Sequence, residues 1–290
     1  MSATSSGASA HGQRPALRDI GVALSGTAAD SAAVDAAIQL ARWYGAHLHL
    51  LSAVLMPAPL ANPWALVPDP GFCDVYDDLR EAARIDAASW RKRLVAANVA
   101  GEVVLLESLA EPAQRMAAAA RCADLVLMAM PYRSPMDTAV VHAHFSGLLF
   151  GTAAPVLAVP PALPVTLPPH RAVVAWSDTP EAARALHAAL PLLRDAESVD
   201  VLRIDGPPDD DGAADRLLRH LTRHAVTARH IRVASGEGTV SEAIIDHARR
   251  HGAGLIVAGG YGHGRFREWA LGGVTRELFL DATVPVLFAH

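Results

Sequence analysis

Short apolar runs alternate along this chain with longer stretches whose apolar positions recur at helical spacing. Runs with few polar interruptions predict strands at Asp19–Leu24, Ala46–Val54, Glu102–Leu106, Asp124–Met128 and Val156–Val159. Between them the pattern predicts helices at about Ala32–Tyr44, Tyr76–Ala97 and Pro112–Ala120, and another before Val156. Strands that alternate with helices of ten or more residues imply βαβ units and a parallel sheet covered on both faces.

The pattern then repeats. Cys122–Ala129 (CADLVLMA) matches Gly252–Gly259 (GAGLIVAG) at an offset of 130, and Pro155-Val156-Leu157 matches Pro285-Val286-Leu287 at the same offset. At the front, Val22-Ala23 matches Val174-Ala175 at an offset of 152. The first copy therefore holds 22 extra residues, and the Pro-rich stretch Met56–Asp78 is where they are expected. Between the copies runs a Pro-rich linker over 161–170, expected to be extended and stiff. The expected organisation is a disordered tail at 1–15, a first unit at 16–160, the linker, and a second unit at 171–290.

The most specific local signal is a glycine pattern in the second copy. The apolar run Gly254–Ala258 leads into Gly259-Gly260-Tyr261-Gly262, and nine residues later Gly272-Gly273-Val274-Thr275 opens a helical stretch. Strand, glycine loop and helix N-terminus together make an anion site. Glycine lets a ligand approach the main chain, and free N–H groups at the positive end of the helix dipole face a phosphate. Thr275 adds a hydroxyl. Ligands in such sheets sit at the carboxyl ends of strands, at the switch point. The Ala175-Trp176-Ser177 turn reaches the same end.

This G-x2-G-x9-G pattern, together with Ile20–Thr27 and Ala172–Thr179 as first strands with their turns, resembles the universal stress protein family. The resemblance covers nearly the whole chain, twice. It implies two tandem doubly wound α/β domains, Rossmann-like and similar to adenine nucleotide alpha hydrolases, facing each other as an intrachain pseudo-dimer. In the family the last strand, here Pro155–Pro160 and Pro285–His290, pairs across the dimer; a homodimer of the tandem chain stays open.

It further implies a stress-response protein with ATP, or AMP or ADP, as a regulatory ligand of the C-terminal unit, with Mg as companion ion. The implied contacts are Ala175, Trp176, Ser177, Ile204, Gly259, Gly262, Gly272, Gly273, Val274 and Thr275; His263, inside the glycine loop, reads equally as a phosphate contact and as an exposed loop residue. Trp176 has two readings, packing on the adenine face or in the core, and Ile204 lines the adenine pocket by resemblance. Two residues depart from the family pattern. Ser177 stands where Asp is usual and lacks a carboxylate's bidentate reach; Gly273 stands where Ser or Thr is usual, which removes a hydroxyl. In the first copy the four motif glycines become Ala129, Tyr132, His142 and Ala143, with Pro131 and Pro135 between. That copy is expected to keep the fold and not the ligand.

Composition narrows the alternatives. With 51% apolar and 19% charged residues, 290 residues suffice for two folded units. A net charge of −5 leaves no basic footprint for nucleic acid. Cys73 and Cys122 fit reduced thiols in a cytoplasmic protein. No uninterrupted apolar stretch reaches the roughly 20 residues of a membrane span.

The remaining signals have bland readings. The pairs His220/His224 and His247/His251 have metal spacing on a helix but no accompanying Glu or Cys, so they read as solvated helix faces, and no metal ligand is assigned. His142 and His144 read as space-filling. Arg265 and Arg267 read as phosphate partners or solvated loop residues alike. Ser25–Ser31 faintly resembles a pyrophosphate loop of adenylating enzymes. No general base is identifiable, so regulatory binding is expected rather than catalysis. A nucleotide-free interaction module and, behind it, a slow ATPase are the alternatives, and the protein partner is unknown.

Overall fold

The computed structural model describes residues 17–57, 70–132, 134–162, 164–205, 212–260 and 273–290. In chain order the elements are β1 (Asp19–Leu24), α1 (Asp30–Tyr44), β2 (His47–Leu55), α2 (Pro70–Ala96), β3 (Gly101–Ser108), α3 (Pro112–Ala119), β4 (Leu125–Ala129), α4 (Pro135–Gly151) and β5 (Val156–Val159). The second half follows with β6 (Arg171–Ala175), α5 (Pro180–Arg194), β7 (Ser198–Ile204), α6 (Ala213–Arg223), β8 (Ala228–Val233), α7 (Val240–Arg250), β9 (Leu255–Gly259), α8 (Gly273–Asp281) and β10 (Val286–Ala289).

All ten strands join one sheet in the order β3-β2-β1-β4-β5-β10-β9-β6-β7-β8. Pairing within each half is parallel, and β5 meets β10 antiparallel, with Leu157 opposite Leu287. These two leucines are counterparts at the offset of 130, so the pairing places a pseudo-two-fold axis between them. The expected pairing of last strands therefore occurs within the chain. It also turns what would be an exposed edge in each half into the middle of the sheet.

Both sheet faces are covered. Alternate residues of β1, Ile20 and Val22, pack with α1, α2, α5 and α6, while Ala23 packs with α3, α4, α7 and α8 on the other face. Burial on both faces explains why the strands read as continuous apolar runs. On one face the halves meet where Tyr44 Oη donates to Asp195 Oδ2 at 2.6 Å and Trp43 Nε1–H donates to the same oxygen at 2.9 Å. On the other, Phe145 of α4 stacks on Phe279 of α8, with centroids 4.1 Å apart at 16°.

The 22 extra residues fall between the second and third strands as expected: 45 residues separate β2 from β3, against 23 between β7 and β8. Their form differs from the expectation. Much of the excess is helix, because α2 has 27 residues and α6 has 11. The described helix already includes Pro70, ahead of the expected start at Tyr76. The linker is pinned rather than merely stiff. Gln39 of α1 donates to the Val165 carbonyl and accepts from the Leu167 N–H, both at 3.1 Å, and Leu167 is buried. Residues 1–15 lie outside the described residues.

Candidate functional site

β6 and β9 lie side by side in parallel, with Ala175 in register with Ala258. The chain leaves β6 toward α5 and β9 toward α8, so their carboxyl ends open at the switch point of the second half. Trp176 N–H donates to the Leu202 carbonyl at 2.8 Å, and its ring packs against the core, which supports the core reading of this residue. Ser177 is exposed, with Oγ 3.3 Å from Thr179 Oγ1. Thr179 caps α5, accepting from the Ala182 N–H at 3.3 Å. Ile204 ends β7 half-buried, facing the α7 and α8 side of the core.

Gly259 has a packing role. A Cβ at this position would stand 2.7 Å from Ala182 N and 2.9 Å from the Glu181 carbonyl carbon, so the end of β9 lies against the first turn of α5. Gly260 N–H donates to the Ala289 carbonyl at 2.8 Å, as Met130 N–H does to Val159 in the first half.

Gly273, the first described residue of α8, is exposed. Among the described residues, a Cβ there would meet only Glu277 Oε1, at an ordinary 3.6 Å. Val274 is half-buried against the core, and Thr275 is 5% exposed, on the inner side of the helix. Glu277 Oε2 accepts a short hydrogen bond from Ser241 Oγ, tying α8 to the start of α7. Thr239 and Glu242 close a capping box on α7. Gly262, His263, Gly272, Arg265 and Arg267 lie outside the described residues.

The first half is built differently at its β1–α1 turn. There the carboxylate of Asp30 accepts from Ser25 N–H at 2.9 Å, Gly26 N–H at 2.8 Å and Ser25 Oγ at 2.8 Å. The turn thus carries its own carboxylate, which takes the Ser25 and Gly26 N–H groups that a pyrophosphate loop would offer. Burial raises the Asp30 pKa, and these hydrogen bonds work against the rise. Ala182 stands at the matching place in the second half and has no carboxylate.

On the β4 side, α4 starts at Pro135, with Ser134 as its cap, so His142 and Ala143 sit mid-helix with their N–H groups in the helical ladder. α8 is described from Gly273 onward. Neither Asp30 nor Glu277 was singled out from sequence, because their partners depend on the fold.

The histidines divide. His142 and His144 fill space as expected: His144 is buried, His142 lies edge-on to Phe279, and burial lowers both pKa values. His247 departs from the solvated-face expectation. It is 3% exposed and its Nε2 is 2.8 Å from Asp200 Oδ2, a carboxylate also gripped by Arg229 at 2.6 Å.

Residues 169–290 match the model of the universal stress protein family. Among solved structures, a universal stress protein from Archaeoglobus fulgidus is similar over 93% of this chain and 95% of its own, at 15% identity and a TM-score of 0.74. A member of the universal stress protein family from Burkholderia pseudomallei is 30% identical, covering 50% of this chain and 97% of its own, with a TM-score of 0.39. No curated protein matches in sequence. The sheet and its switch points define a tandem α/β protein with a Rossmann-like unit in each half. The chain belongs to the universal stress protein family. Among the described residues, no helix is long and apolar enough to cross a membrane.

Proposed function

We propose that the chain is a stress-response regulator whose C-terminal half binds an adenine nucleotide, ATP or its AMP or ADP relatives, at the carboxyl ends of β6 and β9. The observation that carries this reading is the difference between the two β–α turns. The first half folds the Asp30 carboxylate back onto the N–H groups of its turn, whereas the second half has Ala182 at the matching position and an exposed Asp178 in the turn. A turn at a strand's carboxyl end, at the switch point of the sheet, offers donors to a phosphate or ribose. Gly262, His263 and Gly272 would complete the cradle, and Mg would accompany the phosphates.

The reading is regulatory rather than catalytic. A helix N-terminus holds bound phosphate as well as any transition state, and uniform binding of that kind does not accelerate chemistry. Mass spectrometry of small molecules released from the purified, denatured protein tests the proposal. An adenine nucleotide near equimolar with the chain is the expected result, and its absence after purification with added ATP counts against it.

A second reading, a nucleotide-free interaction module, draws on two observations. Gly259 is required by packing against α5 whatever binds nearby, and the Thr275 hydroxyl would have to serve a phosphate from a buried position.

A further inference from the structure

At the amino end of the sheet in the first half, opposite the nucleotide end, β1, β2 and β3 bring four ionisable side chains onto one face. Asp19 is in register with His47, and His49 with Glu102; His47 and His49, two apart on a strand, point the same way. One ligand atom from each of Asp19, His47 and His49 lies within 4.8 Å of the other two. His49 Nε2 is 3.3 Å from Asp19 Oδ1, while its Nδ1 is 3.1 Å from Glu102 Oε1. The rings of His47 and His49 are 4.6 Å apart. His47 Nδ1 is buried without a hydrogen-bond partner among the described residues.

Both nitrogens of His49 face carboxylate oxygens, and a neutral imidazole has only one N–H to give. A cation between His49 Nε2 and Asp19 Oδ1 resolves that conflict. Two donors at about 2.0 Å from a tetrahedral ion stand about 3.3 Å apart, the separation found here. The Nδ1–H then donates to Glu102, the outer carboxylate that fixes tautomer and ring orientation in histidine metal sites.

The second half provides an internal comparison. Asp200, in register with Arg229, occupies the place of His49, and with His247 and His251 forms another compact group. There the guanidinium of Arg229 takes the carboxylate and Arg171 donates to the His251 carbonyl, so the surroundings are cationic. Around His49 they are anionic: Asp19, Glu102 and, next to Asp19, Asp124, whose Oδ2 accepts from the Arg18 and Asp19 N–H groups.

We propose that Asp19, His47 and His49 bind a divalent transition-metal ion of the zinc class, with Glu102 as the orienting residue and solvent in the remaining position. Imidazole nitrogen with a carboxylate oxygen suits such an ion, and the half-exposed setting admits it from water.

The test is equilibrium dialysis of the untagged, metal-stripped full chain against Zn2+ alone, with bound zinc measured by elemental analysis. One zinc per chain is expected. Binding should fall at least 100-fold in His49→Ala, fall about 10–100-fold in Glu102→Gln, and stay unchanged in His251→Ala. No zinc bound by the wild type, binding insensitive to both first-half substitutions, or binding lost in His251→Ala overturns the proposal. If His49→Ala does not fold by circular dichroism, Glu102→Gln and Asp19→Asn, at exposed positions, decide it.

Discussion

Gly259 and Ala182 touch through an absent atom: the Cβ that residue 259 lacks would stand 2.7 Å from the Ala182 nitrogen. The first glycine of the motif therefore serves the joint between β9 and α5, a joint that also sets where the Ser177 turn sits relative to α8.

That relationship makes Gly259→Ala a stability mutant. Overpacking against backbone costs typically about 1–3 kcal/mol, so thermal unfolding should shift down by several degrees with or without nucleotide. An unchanged melting temperature would mean that α5 yields freely at this joint.

Gly273 predicts the opposite. Among the described residues its added Cβ meets only Glu277 Oε1 at 3.6 Å, so Gly273→Ser should leave the melting temperature unchanged. If phosphate lies at the start of α8, the new hydroxyl should tighten ATP binding about tenfold, equivalent to one added hydrogen bond worth about 1.4 kcal/mol. Titration calorimetry of the variant beside the wild type reads this directly.

Asp200 gives a pH dependence. Burial works to raise its carboxyl pKa, but the hydrogen bonds and charges of Arg229 and His247 outweigh burial and hold it below the ordinary 3.8. A lowered folded-state pKa means that the unfolded chain binds the extra proton. The stabilisation is present above the ordinary value and lost as pH falls through the folded one. Chemical unfolding from pH 7 down to 3 should show Asp200→Asn less stable than wild type at neutral pH, with the gap closing below pH about 4.

The aromatic contact between the halves supports a further prediction. Phe145 is fully buried, stacked on Phe279 and edge-on to Phe288 at 5.1 Å. Phe145→Ala should cost about 3–5 kcal/mol. Because the halves share one sheet, it should lower a single unfolding transition rather than split it, which calorimetry can check.

Much of this architecture was legible because it is written in local, repeated signals. The run Val156–Val159 marks β5 to the residue, and the offset of 130 lays β4 on β9 and β5 on β10. What stayed hidden depends on partners far apart in sequence. Nothing local shows that Gly259 meets Ala182, that Asp30 folds back onto Ser25 and Gly26, or that α4 begins early enough to carry His142 and Ala143 into mid-helix. His49 and Glu102 are 53 residues apart, and a strand pair such as His47 and His49 does not match the helical metal spacing sought at His247 and His251. The proline-rich stretch misled because Pro70, read as part of a loop, is helical.

The central claim is asymmetry: two copies of one fold, one with the Asp30 carboxylate folded back onto its turn, the other proposed to take a nucleotide. Isothermal titration of the full chain with ATP and Mg2+ tests it most directly. The account predicts a stoichiometry near one per chain. A value near two, or no binding of any adenine nucleotide, would contradict it.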